Sequence, residues 1–465
     1  MIINILHTND IHSRFEKLSK IVTKVNKLKD ESTLLLDAGD FNDFMRIELQ
    51  GTSGMAGVEL LESAGYDAIA VGNNEAFQGV EVLEHMAQNS KVPFLSCNLK
   101  KQDLSEIKGV KHSVIIEKQG LRFLIIGASP KLNEFYPLFN LKLVDYKEAI
   151  IDEIYRNKGK YDVCIVLSHL GIVEDKKIGK DIEDVDVIIG GHTHILMDTP
   201  TIINNTVLHI CGCYGEKLGI IKLDVDKDTA NNKRKKVKLI EYKNIDVEDE
   251  RQDKNIMNLL KTNKEKAIDA LSVPLYKIKK DLWHDVIEEN PITNLLADAL
   301  KDVFNTDIGL INSGILNGGI RKGNVSIKKL IDICPSPLNP TYMEIKGKYI
   351  RKALQDSLDA NFCMKDGKGA GFRGKYLGRL HVSGAVIEYN LKSILRIIIN
   401  GKEIEDEKWY TVATSDYLQR GTGYKALKNN KNRRYKSGYL REILKQYLCK
   451  DGYVERAYID RWILK

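Results

Sequence analysis

The sequence predicts a two-part α/β protein: an α/β sandwich over residues 1–225, then a separate α/β domain over 273–465. Two observations carry the fold. Short β-branched runs alternate with amphipathic stretches through the first part, and a charged segment, 226–272, divides it from a region of different rhythm. A third observation bears on chemistry: run after run ends on Asp, Asn or His.

The runs are IINIL (2–6), TLLL (33–36), AIAV (68–71), RFLIIG (122–127), VCIVLS (163–168) and VDVII (185–189). Continuous apolar runs bounded by Gly or Asp read as buried strands. The stretches 15–29 and 80–89 between them carry helix-period apolar positions, which makes a layered α/β architecture. KRKK at 233–236 followed by DVEDERQD at 246–253 reads as a charged hairpin tip and a solvated helix start, with a polyanion site as the competing reading. Residues 255–271 have the period of a connecting helix. The second domain opens with PITNLLADALKDVF, where Thr293 is placed to cap or open a helix. Gly and Pro then punctuate 312–324 and 335–340.

A net charge of +7, with 43% apolar and 29% charged residues, is ordinary for a soluble globular protein. It permits anionic ligands without pointing to a nucleic-acid polymer. No apolar run approaches the ~20 residues of a membrane span, and MIINILHTND has no basic n-region of a signal peptide. Seven cysteines without framework spacing fit a reducing compartment. Cys211 and Cys213 read as strand or turn residues. The expectation is a cytoplasmic protein that does not engage a membrane.

The strand ends hold the chemistry. IINIL leads to Asp10 and His12, TLLL to Asp37 and Asp40, and AIAV to Asn73 and Asn74. VCIVLS leads to His169, and VDVII to His192 and His194 in GGHTH. Ligands of open α/β sheets bind beyond the carboxyl ends of the strands, and Asp, Asn and His suit Zn, Mn or Fe. A lone Asp-x-His, or a single His after a strand, is more often structural. Five such ends together form a specific pattern.

That series, D-x-H, GD, GNNE, H and GHTH, resembles the calcineurin-like metallophosphoesterases. With the opening LHTNDIHS, the length and a later NSG, it looks like the bacterial 5′-nucleotidase family, in a form with GNNE where GNHE is usual. The resemblance implies a four-layer α/β/β/α sandwich and two divalent metal ions (Mn, Zn or Fe). It implies that Asp10, His12 and His194 hold one ion with Asp40, and that Asp40 bridges to a second held by Asn73, His169 and His192. Two cations sharing a carboxylate clamp the attacking and leaving oxygens of an in-line displacement and acidify water. Asp37 is expected to cap or orient, and His7 to stand behind the ligands. The implied substrate is a small phosphate ester, a nucleotide above all.

The chain departs from the family where a His–Asp dyad stabilises the leaving group. Asn74 takes the place of the His and Phe77 that of the Asp. One reading is an active hydrolase with altered leaving-group handling, in which Asn74 donates a hydrogen bond and Asp40 anchors the site. Others are a silent nucleotide or phosphate binder and a cyclic-nucleotide phosphodiesterase. His85, His209, His284 and His381 are the unassigned histidines that could fill the gap.

In the second domain, INSGILNGGIRKGNVS resembles the family's N-x-G-x-x-R, giving Asn312 and Arg321, with ILNGG as an insertion. CPSPLNP (334–340) sits where the family has PFGN. GRLHVSG (378–384) places Arg379 where a base-stacking Phe is usual, and SDYLQRGTGY offers Tyr417 as a stacking residue but lacks the motif's Asp. GKGAGFRGK (367–375) reads equally as a phosphate cradle with Arg373 or as a plain surface loop.

Overall fold

Side-chain alternation divides the first strands between two cores. Ile3, Ile5, Leu34, Leu36, Ala68 and Ala70 join one buried cluster, while Leu6, Leu35 and Ile69 join another. Period-two alternation of apolar residues on both faces is what a sheet covered on both sides requires. The computed structural model describes residues 1–226, 237–369 and 371–465, and the chain forms two units, Met1–Ala270 and Leu271–Lys465. KRKK at 233–236 lies outside the described residues.

In the first unit the strands of the two large sheets are β1 (Ile2–Thr8), β2 (Thr33–Asp37), β3 (Ala68–Ala70), β4 (Phe94–Leu95), β5 (Ser113–Lys118) and β6 (Leu121–Ala128). They continue as β7 (Val163–Ser168), β8 (Val187–Gly190), β9 (Thr201–Ile203), β10 (Thr206–His209), β11 (Lys217–Val225) and β12 (Val237–Asp246). One six-stranded sheet runs β12-β11-β1-β2-β3-β4 and the other β9-β10-β8-β7-β6-β5. The β1-β2-β3-β4 and β6-β7-β8-β10 stretches are parallel. Their inner faces share the cluster containing Ile3, Leu34, Ile125, Ile165 and Ile189. Helix Phe15–Leu28 and its neighbours cover one outer face, and helices Tyr146–Arg156 and Ile172–Asp181 cover the other. This is the four-layer α/β/β/α sandwich. The periodic segment read as a connecting helix is Lys254–Ser272, and it packs Ile256 and Leu260 into the first unit's outer core.

The second unit has a five-stranded sheet, in spatial order Leu380–Ser383, Ile308–Asn312, Trp409–Ser415, Pro340–Lys346 and Asn430–Tyr435. A four-stranded sheet runs Lys402–Glu403, Ile394–Ile399, Ala385–Tyr389 and Trp462–Leu464. Helix Pro291–Phe304 buries Ile292, Leu295, Leu296 and Leu300 in the same core. Its cap is Asn290, whose Oδ1 accepts from the Thr293 N–H at 3.2 Å. Thr293 is therefore inside the helix and Pro291 at its first turn, where the missing N–H costs nothing. Among the described residues no helix is long and apolar enough to cross a membrane.

Candidate metal centre

Register brings the first two ligand-bearing loops together. Thr8 pairs with Asp37 at the end of the β1–β2 ladder, and the ladder continues beyond the strands. The Asp10 N–H donates to Gly39 O, His12 N–H to Asp40 O and Ser13 N–H to Phe41 O, each at 2.9 Å. β6, β7 and β8 end level with one another, Ala128 and Gly190 both opposite Ser168. His169, His192 and His194 follow directly.

Two groups of ligand atoms result, each with every atom within 4.8 Å of the others: Asp10, His12 and His194, and Asp10, Asp40 and His169. His169 Nε2 is 3.2 Å from Asp40 Oδ2, and His194 Nε2 is 3.3 Å from Asp10 Oδ1. His192 belongs to neither group. Its ring lies 5.2 Å from that of His169, and its N–H donates to both oxygens of Asp10.

The backbone is strained at the candidate ligands. Asp10, His12, Asp40, His192 and His194 all have positive φ, between 46° and 69°. Such residues cost about 1 kcal/mol or more each and gather at functional sites. Space is also tight: a Cβ on Gly72 would come within 2.1 Å of Asp40 Oδ1, and one on Gly191 within 2.9 Å of His169 Nδ1.

The donor set fits divalent cations. Among the described residues, two buried atoms, Asn73 Oδ1 and His169 Nε2, have no hydrogen-bond partner. His169 Nδ1 donates to Ala38 O at 2.7 Å, which fixes the tautomer that leaves Nε2 a lone pair. Without a cation the carboxylates and imidazoles share protons. Burial disfavours charge on both His169 and Asp40, yet Asp40 raises the His169 pKa to about 10, and His169 with His12 draws Asp40 well below the carboxylate range.

Glu75 and Asn9 brace these candidate ligands. Glu75 Oε2 accepts from the N–H groups of Asp40 (3.1 Å) and Gly72 (3.0 Å), and Oε1 from that of Asn42 (2.9 Å). Burial, then the nearby Asp40, pushes its pKa to about 7. Asn9 Nδ2 donates to Asp10 Oδ2 at 2.7 Å and Gly212 O at 2.6 Å. Their signal was adjacency: each is next or nearly next to a ligand in sequence. Asp37 does orient, accepting from Thr8 Oγ1 and the Gly39 N–H. His7 does not stand behind a ligand; its Nε2 meets His209 Nδ1 at 2.8 Å.

That contact accounts for one of the spare histidines, His209. His85 is bonded to Asn89 on its own helix. His284 and His381 belong to the second unit, bonded to Ser313 O and to Asn290. Asn74 is at the centre: Nδ2 lies 2.8 Å from Asp40 Oδ2 and 3.1 Å from His12 Nδ1. Phe77 turns away into an aromatic cluster, stacked on Phe139 at 5.1 Å.

In the second unit Tyr417 is fully buried and stacks on Phe372 at 4.6 Å with 26° between the rings. Phe372 was overlooked beside Arg373, which is exposed and donates to Phe372 O. Asn312 is buried, its Nδ2 bonded to Leu377 O and its Oδ1 without a partner. Arg321 is exposed. Arg379 is not open to a base: it is buried, with its guanidinium carbon 4.2 Å above the Trp462 ring.

Two family models match. Residues 3–196 fit the calcineurin-like phosphoesterase, and residues 267–429 fit the 5′-nucleotidase C-terminal domain. The chain belongs to the calcineurin-like phosphoesterases that carry a 5′-nucleotidase C-terminal domain. As a member of this family it is a phosphoric ester hydrolase. It is 28% identical over 459 residues to an uncharacterized metallophosphoesterase of Bacillus subtilis, YunD, covering 95% of this chain and 98% of that one. It is 26% identical over 520 residues to a 5′-nucleotidase of Diplobatis ommata, covering 93% and 84%. Among solved structures, the Haemophilus influenzae NAD nucleotidase aligns with a TM-score of 0.68 at 17% identity, over 100% of this chain and 99% of that one. At that identity the likeness is one of fold.

Proposed function

We propose that the first unit of this phosphoesterase holds two divalent cations and releases phosphate from nucleotides or related esters. Asp10, His12 and His194 would hold one with Asp40, and Asp40, Asn73, His169 and His192 the other. Divalent cations supply Lewis acidity toward phosphoryl oxygens and activate water. The observation that carries the reading is the convergence of strand-end Asp and His atoms within 4.8 Å, beside two buried atoms that lack partners among the described residues.

The chain's own residues do the rest. The N–H groups fixed on Glu75 hold the Asp40 loop in its strained turn. The Asn74 amide orients Asp40 and has no proton to give where the family places a proton donor. Electrostatics and positioning dominate phosphoryl transfer, so such a site turns over without that acid. In the second unit, the stacked pair Tyr417 and Phe372 is the aromatic element for a base, which must part the rings or lie on an outer face, with Asn312, Arg373 and Arg321 as polar contacts. Seven cysteines without framework spacing support a cytoplasmic setting.

The test is to load the protein with Mn²⁺, count bound metal, and assay nucleotides, nucleotide sugars, cyclic nucleotides and an aryl phosphate. Release of phosphate from a nucleotide is expected. No hydrolysis of any of them with two ions bound would leave a binder in place of an enzyme.

A further inference from the structure

Arg14 follows His12 by two residues and stands at the start of helix Phe15–Leu28. Its guanidinium carbon is 5.5 Å from the centre of the Tyr214 ring, within cation–π range. The same ring is 5.6 Å from that of His12 and 5.3 Å from that of His194. Tyr214 is tied to the centre, its N–H donating to Asp10 O at 2.7 Å from a left-handed backbone. One aromatic plate thus carries two ligand imidazoles and a cation. Arg14 is exposed, and among the described residues its guanidinium makes no hydrogen bond or ion pair. Its five N–H donors are unspent.

Asn74 also lies against His12, with Nδ2 3.1 Å from Nδ1. An amide has no proton to give. This rim therefore offers a fixed positive charge at Arg14 and no proton from Asn74. An alcohol departing as alkoxide needs a proton. A phosphate departs as an anion that is stable at neutral pH and needs a cation.

We propose that Arg14, seated on Tyr214, receives a leaving phosphate, so that the preferred substrates are phosphoanhydrides such as nucleoside diphosphates rather than nucleoside monophosphates. The proposal rests on the hydrolase reading above. Water supplies its oxygen to the terminal phosphorus, and the bond from that phosphorus to the bridging oxygen breaks. The bridging oxygen keeps the electron pair and leaves as the terminal oxygen of a nucleoside monophosphate anion. The proton released by water passes to solvent.

The experiment compares ADP, AMP and p-nitrophenyl phosphate on the Mn²⁺-loaded full chain and on R14Q, R14K and Y214L, with bound metal measured in each. Wild type is expected to favour ADP over AMP by about tenfold or more in kcat/KM. R14Q is expected to cut ADP turnover about tenfold and p-nitrophenyl phosphate less than about threefold, as a lost charge-assisted contact does. Metal content should not change, and R14K and Y214L should fall between. A wild type that prefers AMP, or an R14Q that loses ADP and aryl phosphate activity equally, would overturn the proposal alone. No turnover of any substrate by metal-loaded wild type would overturn the hydrolase reading together with it.

Discussion

Asn74 grips Asp40 at both oxygens: its backbone N–H donates to Oδ1 and its side-chain amide to Oδ2, each at 2.8 Å. The residue standing in the family's acid position is thus spent on the carboxylate proposed to bridge the cations. Asn74→His would exchange that grip for a proton donor. General acid help is worth roughly 10²–10⁴ in rate where the leaving group needs it. The N74H variant should raise the ratio of alkyl to aryl phosphate turnover by about tenfold or more. Equal turnover ratios in variant and wild type would show that leaving-group protonation does not limit this enzyme.

The missing partner Asp is a separate matter. Phe77 packs on Phe139, Tyr136 and Phe135, with centroids 5.1, 5.7 and 6.2 Å away. Phe77→Asp removes an aromatic ring and sets a carboxylate among three others. The cost is about 3 kcal/mol or more, seen as a lower urea midpoint. The N74H/F77D pair should therefore be less stable than N74H alone and no faster.

Metal counting separates the ligand roles. Asp40 lies against both His169 and His12, whereas His194 lies against Asp10. D40N should bind under about one ion per chain, and H194A about one. Because cations bind the folded state alone, chelation should lower the melting temperature of wild type and restored Mn²⁺ should raise it. A D40N protein that keeps two ions would exclude the bridging role.

The convergence of Asp10, His12, Asp40, His169 and His194 was legible because what lies at strand ends follows from sequence order alone. β-branched runs announce the strands, and whatever follows a parallel strand lies at the sheet's carboxyl edge. Adjacency marks Asn9 and Glu75, but their roles were not legible, since what they do depends on backbone N–H groups and carbonyls brought near by the fold. His7 misled for a related reason: strand β1 carries it to His209, far away in sequence. In the second unit a resemblance in register placed Arg379 at a base, but its side chain is taken up by Trp462, a residue from the chain's last strand.

The aromatic pair of the second unit should matter only for substrates with a base. Tyr417 and Phe372 stack on each other at 4.6 Å, too close to admit a base between them, so a base must part them or lie on an outer face. Stacking on an aromatic contributes roughly 1–3 kcal/mol per base. Tyr417→Leu should raise KM for nucleotides by about tenfold and leave p-nitrophenyl phosphate unaffected. If both substrates respond alike, Tyr417 supports the fold and not the substrate.

His381 gives the second unit a dependence on pH. Its Nε2 accepts from the Asn290 N–H at 3.1 Å, and its Nδ1 donates to Arg379 O at 3.2 Å. Burial above all lowers its pKa to about 3 from 6.5. The fold thus requires the neutral ring, while the unfolded chain takes up a proton below about 6.5. Stability is complete above that value and falls as pH drops toward 3, by up to about 1.4 kcal/mol per pH unit. All three tryptophans, Trp283, Trp409 and Trp462, lie in this unit, so their fluorescence follows its unfolding in urea. The metal-free wild type should lose stability between pH 6 and 4, and H381Q should lose it with a slope shallower by about 1.4 kcal/mol per unit. Identical slopes would place the acid sensitivity on other groups.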